Sequence, residues 1–123
     1  MKKVVSFMTA LCLMLTLCLS LGSCGEKKDG TYTVGICQLV THPALDAATE
    51  GFKQALIDIL GEDKVTFDEQ NAANEPSTCT TIVNSFVSKN VDLIMANATP
   101  ALQAAANATT TIPILGTSIT EYG

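Results

Sequence analysis

Arginine and tryptophan do not occur in these 123 residues, histidine occurs once, and aromatic residues make up 5% of the chain. Without arginine, seven lysines stand against twelve acidic residues, for a formal net charge of −5. Nucleic-acid binding needs clustered Lys and Arg at the phosphates, so no nucleic-acid partner is expected. The single histidine, His42, precedes a proline. One imidazole supplies neither a spaced metal-ligand set nor the base of an assignable Ser–His–acid trio. His42 reads as a loop or helix-cap residue. Glycine is missing where a phosphate-binding turn would need it: Gly35 sits inside the first apolar run of the globular part, and 38–43 holds none. That argues against nucleotide binding. Asp68-Glu69 stands as a solvated strand end rather than a ligand pair. No metal, no cofactor and no enzymatic activity are expected.

Charge is also missing from the first long apolar run. Lys2 and Lys3 precede Val4 to Leu21, an uncharged and almost wholly apolar stretch. Its length would fit a membrane span, but a basic start, an apolar middle and small residues at the end are the layout of a secretory signal. The run closes on Leu21-Gly22-Ser23-Cys24, which resembles a bacterial lipobox. That resemblance implies diacylglycerol transfer to the Cys24 sulfur and cleavage between Ser23 and Cys24. An uncleaved anchor helix, or an ordinary signal peptide with a chance cysteine, are the alternatives. A buried methylene contributes about 0.8 kcal/mol, so two acyl chains anchor stably where one does not. The following Gly25-Glu26-Lys27-Lys28-Asp29-Gly30 has nothing to bury and reads as a tether. The expected organisation is therefore signal peptide over 1–23, lipidated cysteine and tether over 24–30, and globular chain over 31–123, placed outside the cytoplasm and held to the membrane by lipid. From Cys24 onward, five lysines against twelve acids leave a net charge of −7.

The five cysteines do not make a disulfide framework. Cys12 and Cys18 lie in the signal and Cys24 takes the lipid. Only Cys37 and Cys79 remain, expected as buried free thiols behaving as small hydrophobes; a single bridge between them is the alternative.

From Tyr32 onward, short apolar runs alternate with helical periodicity. Tyr32–Cys37 predicts a buried strand. Pro43 suits a first helical position, and Leu45, Ala48, Phe52, Leu56, Ile59 and Leu60 predict the inward face of a helix that Gly61 stops. Asp46, Glu50, Lys53, Gln54 and Asp58 take its outer side. Lys64–Gln70 predicts a strand near a sheet edge. A second helix follows with Cys79, Ile82, Val83, Phe86 and Val87 inward, ending at Asn90. Val91–Ala96 predicts a third strand, Thr99 an N-cap before Pro100, Ala101–Ala108 a short helix and Ile112–Leu115 a fourth strand. Strands alternating with helices specify an α/β fold, a doubly wound parallel sheet in a three-layer sandwich. The connection opened at Gly116 leads to no further element, so the sequence reads as the opening part of a larger domain.

In doubly wound sheets ligands bind in the crevice outside the carboxyl ends of the strands. This chain brings neutral hydrogen-bonding residues there: Gln38, Thr41 and His42 after the first strand, Gln70 and Asn71 after the second, Asn97 and Thr99 after the third, Thr117 and Ser118 after the fourth. Helix N-termini beside them suit a carboxylate. Ordinary capping explains any one cluster; four on one edge favour a binding surface.

These residues also carry a family resemblance. Thr33-Val34-Gly35-Ile36 with Gln38, then His42-Pro43-Ala44-Leu45-Asp46-Ala47 and Glu50-Gly51-Phe52, resemble the opening of the ABC transporter substrate-binding lipoproteins that include the tryptophan/tyrosine-type receptors. Gln70-Asn71-Ala72, Val91-Asp92-Leu93-Ile94, Ala98-Thr99-Pro100-Ala101 and Ile112-Pro113-Ile114 extend the resemblance over most of the chain after Cys24. The resemblance implies a two-lobe, hinged binding protein of the periplasmic-binding-protein type, of which this chain is a partial N-terminal lobe. It implies a small solute between the lobes, with aromatic or other hydrophobic amino acids the associated class. A membrane permease and its ATPase are the implied partners. Carried over by position, the ligand-facing residues are Gln38, Leu39, Thr41, His42, Asn71, Asn97, Thr99 and Ser118. A stand-alone flavodoxin-like surface lipoprotein, acting as sensor or adaptor, is the alternative.

Overall fold

The computed structural model describes residues 30–120. The signal segment, Cys24 and most of the tether lie outside the described residues. The elements follow the order β1 (Tyr32–Gln38), α1 (Pro43–Leu60), a 3-10 turn (Glu62–Lys64), β2 (Val65–Asn71), α2 (Pro76–Lys89), β3 (Leu93–Asn97), α3 (Thr99–Ala108) and β4 (Ile114–Thr117). A proline stands in the first turn of each of the three α-helices, where its fixed φ suits the helix and its missing N–H costs no bond. Gly61 ends α1 at φ 97°, and its N–H closes on the Ile57 carbonyl at 2.8 Å. Asn90 ends α2 in the left-handed conformation at φ 54°, a role that asparagine fills at less cost than most residues.

All strand pairs are parallel, and the sheet order is β2-β1-β3-β4. The chain steps from β1 to one side, then crosses to build on the other. The switch point thus lies between β1 and β3, where doubly wound sheets open a crevice. The edge position expected for the second strand is observed.

The pleat of β1 sorts its residues between two cores. Cys37 faces α2 and α3, in a cluster with Cys79, Val83, Phe86, Ile94 and Ala105. Val34 and Ile36 face α1, with Val65 and Met95 beneath Phe52, Leu56 and Leu60. Gly35 lies under the Phe86 ring, where a Cβ would come within 2.6 Å of ring carbons. The missing side chain lets a fully buried phenylalanine settle directly on the sheet. Burying such a ring contributes roughly 1.5–3 kcal/mol. On the α1 side the cover stops short of β4, and Leu115 is 45% exposed.

Several boundaries differ from expectation, each for a local reason. The third strand begins at Leu93 rather than Val91, because Asp92 departs from the ladder: its carboxylate accepts from the Thr33 N–H at 2.9 Å while its own N–H donates to the Thr33 carbonyl. The fourth begins at Ile114 rather than Ile112, because the Thr109 hydroxyl accepts from the Thr111 and Ile112 N–H groups and holds that stretch in a turn. Ile59, expected inward, is 77% exposed. Thr49 takes the fully buried place on α1 instead. Thr99 does not cap its helix: Ala98 is the N-cap residue, without a side-chain bond, and Thr99 is already helical.

Candidate functional site

The strand register brings four polar residues into one row across the sheet. Asn71 pairs with Gln38, Gln38 with Asn97, and Asn97 with Thr117. All four lie at the carboxyl ends of their strands, so the row forms one rim. Its middle is buried: Gln38 and Asn97 are 4% and 0% exposed. The backbone stitches the rim behind them. Leu39 N–H donates to the Asn97 carbonyl, Ala72 N–H to the Gln38 carbonyl, and Ala98 N–H to the Thr117 carbonyl.

Beneath the rim, Gln38 and Asn97 share a polar cluster with α1. Asn97 Nδ2 donates to the Leu45 carbonyl at 2.8 Å and to the Thr49 hydroxyl at 3.0 Å. The Thr49 hydroxyl donates in turn to Gln38 Oε1 at 2.7 Å. Gln38 Nε2 donates to Asp46 Oδ1 at 2.6 Å and to the Val40 carbonyl at 2.9 Å. This cluster locks the first turns of α1 to the ends of β1 and β3. Buried polar groups are costly unless bonded, and here one acceptor, Asn97 Oδ1, has no protein partner. Thr49 and Asp46 are members of the cluster that the sequence does not point out, and Asp46 turns to Gln38 from what its spacing predicts to be the outer side of the helix. The available signal is a polar Thr49 between Ala48 and Phe52, on the helix's apolar stripe.

The exposed rim is built from loops tied in pairs. Asn71 Nδ2 donates to the Thr41 hydroxyl at 3.2 Å, joining the β1 and β2 loops, while Asn71 Oδ1 accepts from the Ala73 N–H. The Thr99 hydroxyl accepts from the Thr120 N–H at 3.2 Å and meets the Thr120 hydroxyl at 3.1 Å, joining the β3 and β4 loops. His42 is exposed and caps α1, its Nδ1 accepting from the Ala44 N–H at 3.2 Å. Leu39 is half-buried, and Ser118 is exposed with φ 57°. The structure therefore brings all eight expected residues to one end of the sheet, six with exposed or half-buried surface and two buried behind them.

Ala98 separates the rim from α3 with φ 96° and ψ 158°, a region essentially reserved for glycine. Strain of about 1–3 kcal/mol in such a place is found at ligand clamps and switch regions. Helix α3 starts at the next residue, two residues after Asn97 at the rim, uncapped by any side chain. Uncapped N–H groups and the positive end of the helix dipole suit an anionic group.

Another hollow lies away from the rim. A shallow cavity of about 200 Å³ opens at the far end of the sheet, lined by Tyr32, Val34, Leu56, Leu60, Asp92 and Leu93. It is almost wholly apolar, and the Asp92 carboxylate there already accepts from Thr33. It lacks the converging polar groups of a specific small-molecule site. Among the described residues, no group of three or more His, Cys, Asp and Glu side chains is placed to hold a metal.

Residues 33–122 match the model of the ABC transporter substrate binding protein family. The chain belongs to that family. Among its relatives is a protein of Clostridioides difficile (strain R20291) named as a tyrosine-binding protein, 48% identical over 90 residues, covering 72% of this chain and 26% of the relative. The ligand-free, open structure of a substrate-binding protein with adhesive properties from Clostridium difficile superposes with a TM-score of 0.71 at 44% identity. That alignment covers 74% of this chain and 32% of the other. An ABC domain in complex with L-Trp from Streptococcus pneumonia gives 0.70 at 32% identity, over 74% of this chain and 31% of the other. The chain thus spans about a quarter to a third of the length of these relatives. Proteins of this family bind substrate rather than transform it, so the chain is no enzyme, and they are extracytoplasmic. The family resemblance of the sequence and its parallel, helix-flanked α/β fold both stand.

Proposed function

We propose that this chain supplies the first lobe of an extracytoplasmic receptor for a small hydrophobic amino acid, aromatic in preference, delivered to an ABC permease and its ATPase. The observation that carries the reading is the rim itself: neutral hydrogen-bonding side chains from all four strands, converging beside the uncapped N-terminus of α3. A zwitterionic amino acid needs an anion-stabilising site for its carboxylate, neutral donors and acceptors around its ammonium, and an apolar wall. The α3 N-terminus, the group of Thr41, His42, Asn71, Thr99 and Ser118, and Leu39 supply these in turn. Gln38 and Asn97 act from behind, holding α1 and β3 at fixed spacing. The names of the tyrosine-binding relative and the L-Trp complex point to the same ligand class. In this reading Cys24 carries the lipid that anchors the protein, 1–23 is its signal, and a second lobe closes the cleft, since half a cleft does not enclose a ligand.

A thermal-shift panel of amino acids, sugars and nucleosides tests the reading, run on this chain and on the longest extension of its reading frame. A ligand bound only by the native state raises the midpoint by mass action. Tyrosine or tryptophan is expected to shift the two-lobe form and to leave the single lobe unmoved. A panel without any response from the extended form refutes the receptor reading. Cooperative melting without ligand response, in a frame that does not extend, replaces it with the stand-alone sensor or adaptor lipoprotein.

A further inference from the structure

The amino-acid rim makes no use of the two remaining cysteines, yet the fold has brought them together. Cys37 is the next-to-last residue of β1 and Cys79 lies in the first turns of α2. Both are completely buried, both are unbonded thiols, and both belong to one core cluster on the same face of the sheet. Both pack in the layer between β1 and α2 within that cluster. We propose that Cys37 and Cys79 are a disulfide site, which closes when the chain folds outside the cytoplasm.

The proposal stands on placement and compartment. A disulfide needs two Cβ atoms about 3.5–4.5 Å apart with converging directions, and the shared core cluster puts a strand residue and a helix residue on the same sheet face, where such a bond is to be sought. Extracytoplasmic compartments are oxidising, and there such pairs form and persist. This step rests on the extracytoplasmic placement of the family; it does not rest on the identity of the ligand. The reaction is a thiol–disulfide exchange with the disulfide of a thiol oxidoreductase or of oxidised glutathione. One cysteine thiolate attacks a sulfur of that disulfide and releases its first thiol, leaving a mixed disulfide. The second cysteine then attacks the sulfur of its partner, forms the Cys37–Cys79 bond and releases the second thiol. The protein loses two electrons and two protons, and the oxidant is reduced to two thiols.

The folded core sets the timing. Burial, with the neighbouring thiol adding to it, pushes the Cys37 thiol up to about 12, and burial raises Cys79 as well. Thiolate is the attacking species, so the packed and reduced lobe resists oxidation. The bond therefore forms as α2 docks on β1, before the core is sealed, and once packed the core shields it from reductant. Its effect reaches the rim, because Gln38 follows Cys37 directly and anchors the polar cluster.

Peptide mapping of the full chain is the test. The chain is secreted through its own signal in a bacterial host, recovered from the membrane fraction, and alkylated in denaturant without reductant. Trypsin should then yield peptides 29–53 and 65–89 as one cross-linked species, separating on reduction with a gain of two hydrogen atoms. Oxidised and reduced chain are also compared in thermal melts, where the bond should raise the midpoint by about 10 °C or more. Cys79→Ala should abolish that redox dependence. Complete alkylation of Cys37 and Cys79 without reductant overturns the proposal. So does a mixed or intermolecular disulfide at either position, or a midpoint indifferent to reductant. Should Cys79→Ala fail to fold, the map of the unmodified chain still separates bonded from free cysteines.

Discussion

Asn97, the last residue of β3, donates to the backbone carbonyl of Leu45 on α1 at 2.8 Å. One side chain thus ties the sheet's carboxyl edge to the first turns of the helix that His42 caps. The same amide donates to Thr49, which donates to Gln38, so the two central strands and α1 form one hydrogen-bonded unit.

Removing that amide should be felt in stability. Asn97→Ala leaves the half-buried Leu45 carbonyl without its side-chain donor and Thr49 without one of its partners. The expected cost is about 1–3 kcal/mol, read as a lower urea midpoint. Thr49→Val should cost less, and the double variant should fall short of the sum, as for residues of one network. Strict additivity would show that the cluster does not act as a unit.

Ala98 offers the opposite sign. Glycine accepts the φ of 96° without a Cβ penalty, so Ala98→Gly should stabilise the lobe by about 1 kcal/mol even after the entropy of the freer unfolded chain is counted. Denaturant unfolding of the two chains measures it. A lower midpoint in the variant would mean that the backbone at this position carries no strain.

The pair between Asp68 on β2 and Lys89 at the end of α2, 2.6 Å apart, predicts an acid-dependent contribution to stability. The hydrogen bond from Lys89, seconded by that from Gln70, holds the Asp68 carboxyl below its usual range. Its folded titration lies under its unfolded one, so the stabilisation is complete above the unfolded value of about 3.9. It disappears as the pH falls through the folded value. With Lys89 56% exposed, solvent screening keeps the contribution to about 0.5–1 kcal/mol. Asp68→Asn should be less stable than the parent chain by that amount at pH 7, and the gap should close in acid. A gap of constant size down to the acid limit would assign the loss to packing instead.

The elements are legible in the sequence where a single physical signal dominates. Pro43 and Pro100 mark two of the helix starts, and short apolar runs mark the strands, including the edge position of β2. The convergence of Gln38, Asn71, Asn97 and Ser118 at one end follows from parallel strands alone. What stays hidden depends on side chains meeting across the fold. Nothing local says that Thr49 turns toward Gln38 and Asn97, that Asp92 bonds to the backbone of β1, or that Thr109 delays β4 by two residues. Thr99 has the sequence context of a cap and is not one, because its hydroxyl has a stronger claim elsewhere, from Thr120 twenty-one residues on. The backbone conformation of Ala98 carries no compositional mark, since alanine is the wrong residue for it.

The direction of β1 has one more consequence. The strand runs from Tyr32, beside the point where the chain enters at Gly30, to Gln38 on the rim. Seven residues at about 3.3 Å each set these ends roughly 20 Å apart. With the lipid proposed at Cys24, the tether would hold the lobe by the end of the sheet opposite the rim. In the receptor reading proposed above, that rim would face away from the bilayer, and the lobe would have to tip over on its tether to present it to a permease.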